Sequence, residues 1–280
     1  MLTLPSASEF RSGTRRMKID GECDGAVVVE RSTHETIMKH VHSADSREIG
    51  GPFTFVPNGQ GGFTLRSQSA NQKRESGYAV INIPRGVVEF HTHPSRCQAS
   101  PDKSGDLQCA VALPSAADMV NVAVGYRDGV RAHLLYTSEG VYVIRIGDAL
   151  AVAVSVDAED ATAMCRLQRM LCEMFTQFED NHRTFAEKVE LTRSEKSATA
   201  MFHVHQNEWM QLAGQLGFEV ELLGADELPR LNLQSHTVCG VKQAPFTPVV
   251  HLNTNWLTEN MDTCGKDGVC DYLKQQLQDM

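Results

Sequence analysis

Three observations predict an α/β fold. Strand-like and helix-like hydrophobic patterns alternate from Gly25 to about residue 147. Two pairs of strand-like runs in that stretch are joined by clusters of turn-forming residues. Beyond residue 147 the apolar residues recur instead at steps of three and four, the period of a helix. The expected organisation is a flexible leader over 1–24, a compact α/β domain over 25–147, and a mainly helical region with an irregular tail over 148–280.

Taken in order, Ala26 to Glu30 is a β-rich run, about Thr33 to Ser43 is helical, and Arg47 to Phe55 returns to strand. Pro57-Asn58-Gly59-Gln60-Gly61-Gly62 is dense in turn formers and precedes Phe63-Thr64-Leu65, the pattern of a hairpin. A polar loop over Ser67 to Gly77 leads to two more strand-like runs, Tyr78 to Ile83 and Gly86 to His91. Ser115 to about Val124 is a helix with Ser115 as its N-cap, which places Asp118 in the first turn. His133 to Thr137 and Val141 to Ile146 flank Ser138-Glu139-Gly140, a second hairpin signal. Two apolar stripes follow, Met164-Leu167-Leu171-Met174-Phe178 and Ala198-Phe202-His205-Trp209-Leu212-Leu216, each of which predicts an amphipathic helix. They are expected to pair as a hairpin, being too short for a free-standing coiled coil. Gly217 to Leu223 can add a strand, and Gln234 to Met280 carries little pattern.

Composition narrows the function classes. The chain has 280 residues, 41% of them hydrophobic, with no apolar run of the roughly 18 residues that a spanning helix needs, so a soluble protein without a membrane span is expected. Residues 1–20 mix Ser, Thr, Arg and Lys without the apolar core of a secretory signal. A net charge of −9 denies the chain the basic surface that binds a phosphate backbone, so nucleic acid is not an expected partner. Eight cysteines spread over 280 residues are not the dense framework of a small secreted scaffold. An intracellular setting, cytoplasm or nucleus, is expected, with Cys165 and Cys172 read as small core or surface residues of a helix.

The chemistry concentrates in His91-Thr92-His93-Pro94 and Pro114-Ser115-Ala116-Ala117-Asp118. Residues i and i+2 of a strand point to one face, so the end of a strand can aim both imidazoles at one ion. Asp118, in the first turn of a helix, can return a carboxylate to the same ion. Two His and one Asp leave the fourth place of a tetrahedral zinc ion open, which is the mark of a catalytic rather than a structural site.

With the preceding Glu48-Ile49-Gly50-Gly51-Pro52-Phe53, these motifs resemble the signature of the JAMM (MPN+) family of zinc metalloproteases: an upstream Glu, then His-x-His-Pro, then Ser-x-x-Asp. The resemblance covers about Gly25 to Ile146. It implies the JAMM/MPN fold, which is cytidine-deaminase-like, with a mixed sheet flanked by helices. It also implies that His91, His93 and Asp118 bind Zn²⁺ and that a zinc-bound water is the nucleophile. Glu48 is then the general acid and base, and Ser115 donates to the tetrahedral oxyanion beside its role as N-cap. The implied reaction is hydrolysis of peptide or isopeptide bonds, with ubiquitin or ubiquitin-like conjugates as the leading substrate class. Helices that follow the catalytic domain in such relatives commonly meet a partner, so a protein partner or self-association is expected there. The alternative is a non-catalytic MPN scaffold that binds proteins through its C-terminal helices.

Rival residues exist at two places. Glu30 and Glu35 compete with Glu48 but suit the family context less well. Asp106 lies nearer the usual distance after His93 than Asp118 does, yet lacks the Ser-x-x-Asp spacing. The chain departs from most members of the family in the length of Ser95 to Pro114, which is expected to form a loop at the mouth of the site. Cys97 and Cys109 within it can clip the loop through a metal or a disulfide, and a cysteine-bearing insertion of this kind is similar to JAMM-like proteins of large DNA viruses. A second pair, His203 and His205, falls on a helix, where residues two apart diverge by about 200°, and is not expected to share an ion. Cys264 and Cys270 lack a matching second pair.

Overall fold

The computed structural model describes residues 27–43, 48–58, 62–67, 86–93, 97–99, 107–109, 113–127, 129–157, 159–190 and 195–231, with the backbone alone at 97–99, 107–109, 186–190 and 195–201. In chain order the elements are β1 (Val27–Val29), α1 (Arg31–Val41), β2 (Gly50–Pro57), β3 (Phe63–Ser67), β4 (Val88–Thr92), β5 (Cys97–Ala99), β6 (Leu107–Cys109), α2 (Ala116–Arg127), β7 (Ala132–Thr137), β8 (Gly140–Ile146), α3 (Asp148–Val154), α4 (Ala161–Glu190), α5 (Glu195–Gln215), β9 (Phe218–Leu223) and β10 (Arg230–Leu231). The fold is α/β, as the sequence predicts. The expected strand over Tyr78 to Ile83, the rival Asp106 and the tail with Cys264 and Cys270 lie outside the described residues.

Eight strands form one mixed sheet in the order β10-β1-β3-β2-β4-β7-β8-β9. Two neighbouring pairs, β1 with β3 and β4 with β7, run parallel, and the others run antiparallel. The hairpin expected around Pro57 to Gly62 is present: Asn58 closes it by donating its N–H to the Gly62 carbonyl and accepting the Gly62 N–H on Oδ1. The hairpin over 138–140 is equally clear, and its glycine is obligatory. Gly140 has φ +144°, and a Cβ there would sit 2.0 Å from the Leu223 carbonyl oxygen of the adjacent strand.

Strand pairing crosses residue 147. β9 adds to one edge of the sheet against β8, while β10 closes the other against β1. The sequence anticipates β9 but not where it docks, since register between strands so far apart in the chain leaves no local signal.

Helices cover both faces. α1 buries His34, Ile37, Met38 and Val41, a stripe at helical spacing, and places Lys39 and His40 at its carbonyl end, where positive charge is favoured. Its face of the sheet holds a core of Phe53, Phe55, Phe90, Leu134, Tyr136 and their neighbours. The opposite face carries α2, α4 and α5. α2 is buried at seven of its positions, Ala116, Met119, Val120, Val122, Ala123, Val124 and Gly125, because it is sandwiched rather than exposed on one side. Asp160 caps α4, its Oδ1 accepting the N–H groups of Thr162 and Ala163. All five residues of the first predicted stripe, Met164, Leu167, Leu171, Met174 and Phe178, are buried in this second core together with Trp209 and Leu216.

No helix among the described residues is long and apolar enough to cross a membrane. Cys165 is disulfide-bonded, where the helical pattern suggests only a small core or surface residue. Periodicity reports the face on which a residue sits, not which cysteine the fold brings to it. Cys172 is free and buried. Within the segment joining the two halves of the motif, β5 and β6 pair antiparallel, with Cys97 and Cys109 at opposed positions.

Candidate metal centre

β4 is buried at every position, Val88 to Thr92, and ends at the centre of the sheet between β2 and β7. Its alternation sends Glu89, His91 and, just past its end, His93 to the face covered by α2, while Val88 and Phe90 join the core under α1. Two backbone bonds fix the strand end: His93 N–H donates to the Tyr136 carbonyl, and Thr92 N–H to that of Ile49. Ile49 N–H in turn donates to Thr92 Oγ1 at 3.0 Å. That reciprocal pair pins Glu48, the residue before Ile49, to the end of β4.

Asp118 reaches the same place from α2. Ser115 and Asp118 form a reciprocal cap: Ser115 Oγ accepts the Asp118 N–H at 3.1 Å, and Asp118 Oδ2 accepts the Ser115 N–H at 2.7 Å. The Ser115 hydroxyl also donates to Oδ2, at 2.8 Å. Oδ2 is therefore well supplied with donors, and Oδ1 lies 3.3 Å from His91 Nε2.

His91, His93 and Asp118 offer ligand atoms that all lie within 4.8 Å of one another. The two Nε2 atoms are 3.1 Å apart, and His93 Nε2 is 3.5 Å from Asp118 Oδ2. Ligands of a tetrahedral zinc ion, each about 2.0–2.1 Å from it, sit roughly 3.3–3.4 Å apart, so the spacing fits. Proton placement fits too. His93 Nδ1 donates to the Leu113 carbonyl at 3.1 Å, leaving Nε2 as a bare lone pair. His91 Nδ1 meets His133 Nε2 at 2.6 Å, and His133 Nδ1 meets Glu89 Oε1 at 3.0 Å. If Glu89 accepts as a carboxylate and His133 is neutral, His133 donates from Nδ1 and accepts on Nε2, and His91 donates from Nδ1. Its Nε2 is then also bare. Two lone pairs and a carboxylate face one another, an arrangement that a cation satisfies.

The electrostatics agree. Burial pushes the His93 imidazole below its ordinary value of 6.5, outweighing the attraction of Asp118 and Glu48, which favours its charged form. Burial pushes the Asp118 carboxyl up, but the neighbouring His91, then His93 and the Ser115 amide, outweigh it and hold the group well below the usual carboxylate range. An ionised Asp118 beside an imidazole, His93, that burial disfavours in its charged form suits a divalent ion.

Of the candidate carboxylates, Glu48 is half-buried, and its charge acts on His93. Glu30 is drawn away, pairing with Arg66 at 2.7 Å at the head of α1, and Glu35 pairs with Arg31 on an exposed turn of the same helix. His203 is exposed and His205 is buried, stacked on Phe185 with ring centroids 4.1 Å apart, so the second His pair diverges as expected.

Three residues at the site were not anticipated. Glu89 and His133 form the buried chain behind His91. His182, on α4, donates from Nε2 to the Pro114 carbonyl at 3.0 Å and is held below the ordinary imidazole range by burial. Residues 113–115 thus serve three partners in succession: the Leu113 carbonyl holds His93, the Pro114 carbonyl holds His182, and Ser115 holds Asp118. Compared with family models, with curated proteins and with solved structures, the chain matches none.

Proposed function

We propose that this chain is a zinc-dependent metallopeptidase of JAMM (MPN+) type that hydrolyses isopeptide or peptide bonds, with ubiquitin or ubiquitin-like conjugates as substrates. The observation that carries the reading is the convergence of His91, His93 and Asp118 at ligand spacing, with the charge of Glu48 acting on the same cluster. His91 and His93 would bind the ion through Nε2 and Asp118 through its carboxylate. Zinc held there supplies a Lewis acid and lowers the pKa of a bound water towards about 7.

The remaining work falls to the chain's own groups. Glu48 accepts the proton that the attacking water sheds and returns it to the departing amine. Ser115, which holds Asp118 in the resting state, turns its hydroxyl to the oxyanion as charge develops there. α4 and α5 offer the surface for a protein partner.

The experiment pairs metal content with cleavage of a di-ubiquitin panel by the full chain. Wild type should carry about one zinc per chain and cut at least one linkage, and His91→Ala and Asp118→Ala should lose the zinc. Glu48→Gln should keep the metal and lose roughly 10²- to 10⁴-fold in rate, because the amide cannot take the proton. Full metal with no cleavage of any substrate by wild type, or wild-type turnover by Glu48→Gln, would sink the catalytic reading.

A further inference from the structure

We infer that Glu89 and His133 are a buried positioning pair that fixes and strengthens His91 as a metal ligand; this rests on the reading of His91, His93 and Asp118 as a metal centre. The pair is built by the register of two parallel strands. Glu89 on β4 stands opposite His133 on β7, and His91 lies one pleat further along the same face. Side chains on diagonal positions are within reach of long groups, and the result is a continuous chain: Glu89 Oε1 to His133 Nδ1 at 3.0 Å, then His133 Nε2 to His91 Nδ1 at 2.6 Å. Exposures of 0%, 4% and 6% for Glu89, His133 and His91 keep water out of the chain.

A carboxylate and an imidazole are expensive to bury, and apolar residues of similar volume would cost the fold less. What they give in return lies at the far end of the chain. The carboxylate dictates that every proton points towards it, so His91 Nε2 is left unprotonated and aimed at Asp118. The negative charge also draws on the His91 Nδ1 proton through His133, which makes Nε2 a stronger donor to a cation. His93 receives only a neutral carbonyl from Leu113, so the two imidazoles are unequally supported as ligands.

The test uses the zinc-free full chain and Zn²⁺ alone, with competition against a chromophoric chelator to read the Kd. Glu89→Gln is nearly isosteric and removes the charge; His133→Leu cuts the chain; His133→Gln retains one acceptor and one donor. Zinc affinity should fall about 10- to 100-fold in Glu89→Gln and in His133→Leu, while His133→Gln recovers most of the loss. Nitrogen-15 spectra of the wild-type zinc-free chain should show His91 as the Nδ1–H tautomer, with the Nε2–H form emerging in His133→Leu. A folded Glu89→Gln with the wild-type Kd overturns the inference, as does a wild-type His91 protonated at Nε2. If wild type takes up no zinc at all, the metal centre itself falls and this inference with it; if wild type binds and both disruptive variants bind as tightly, only the inference falls.

Discussion

β4 and β7 lie side by side at the middle of the sheet, and their two faces, one residue out of step, have opposite characters. Towards α1 they present Val88, Phe90, Leu134 and Tyr136, with Phe90 packed on Phe53 at 4.9 Å and on Tyr136 at 6.1 Å between ring centroids. Towards α2 and α4 the same strands present Glu89, His91 and His133, with Leu135 alone joining the core on that side. The apolar face gains from every square ångström it buries. The polar face pays desolvation to hold buried ionisable groups in one arrangement, and a metal ion bound there would compensate it. Stability and chemistry are divided across the thickness of a single sheet.

The largest effects should therefore come from the aromatic packing. Phe90→Ala should cost roughly 3–5 kcal/mol in unfolding free energy, measured by denaturant titration, because its ring is wholly buried among Phe53 and Tyr136. Trp209→Ala, also 0% exposed and set between Phe178 and Tyr142, should cost a similar amount from the other side. A neutral Trp209→Ala would mean that α5 contributes nothing to the site-side core and would collapse the contrast between the faces.

Acid should separate the faces next. His93 and His182 both have imidazoles pushed below 6.5 in the folded state by burial. As pH falls below that value the unfolded chain takes up protons first, so stability drops, and it continues to drop until the folded groups titrate as well. Each such proton is worth at most about 1.4 kcal/mol per pH unit. Asp118, depressed below the carboxylate range, acts in the same direction at lower pH. The zinc-free chain should thus lose stability between pH 7 and pH 5, with amides of α2 and α4 exchanging hydrogen before those of α1. A flat stability profile over that interval, or earlier exchange in α1, would contradict the division of labour.

Sequence reasoning reached one face of β4 and stopped short on the other. Alternation alone put His91 and His93 together, and the Ser115 cap brought Asp118 to the right end of its helix. The same alternation places Glu89 beside them, but within an apolar run it reads merely as part of a strand. His133 was illegible for a different reason: it meets Glu89 only because β7 pairs in parallel with β4 across some forty residues of chain, and nothing local announces that register. β10 against β1 is the same case. His182 lies on a helix whose apolar stripe was plain, yet a stripe reports what is buried and not which carbonyl a polar neighbour will meet.

That last contact gives the smallest and most discriminating effect. His182 links α4 to the Pro114 carbonyl, between the carbonyl that holds His93 and the serine that holds Asp118. One neutral hydrogen bond in a partly buried place is worth about 0.5–1.5 kcal/mol, so His182→Leu should weaken zinc binding by no more than about tenfold, less than Glu89→Gln does. The comparison of the two Kd values decides what α4 is to the site. If His182→Leu leaves the Kd untouched, residues 113–115 are held by α2 and β4 alone and α4 only walls them in. If it matches or exceeds Glu89→Gln, the position of Pro114 governs both His93 and Asp118 at once, and the region after residue 147 is as much a part of the metal centre as the strands that carry its ligands.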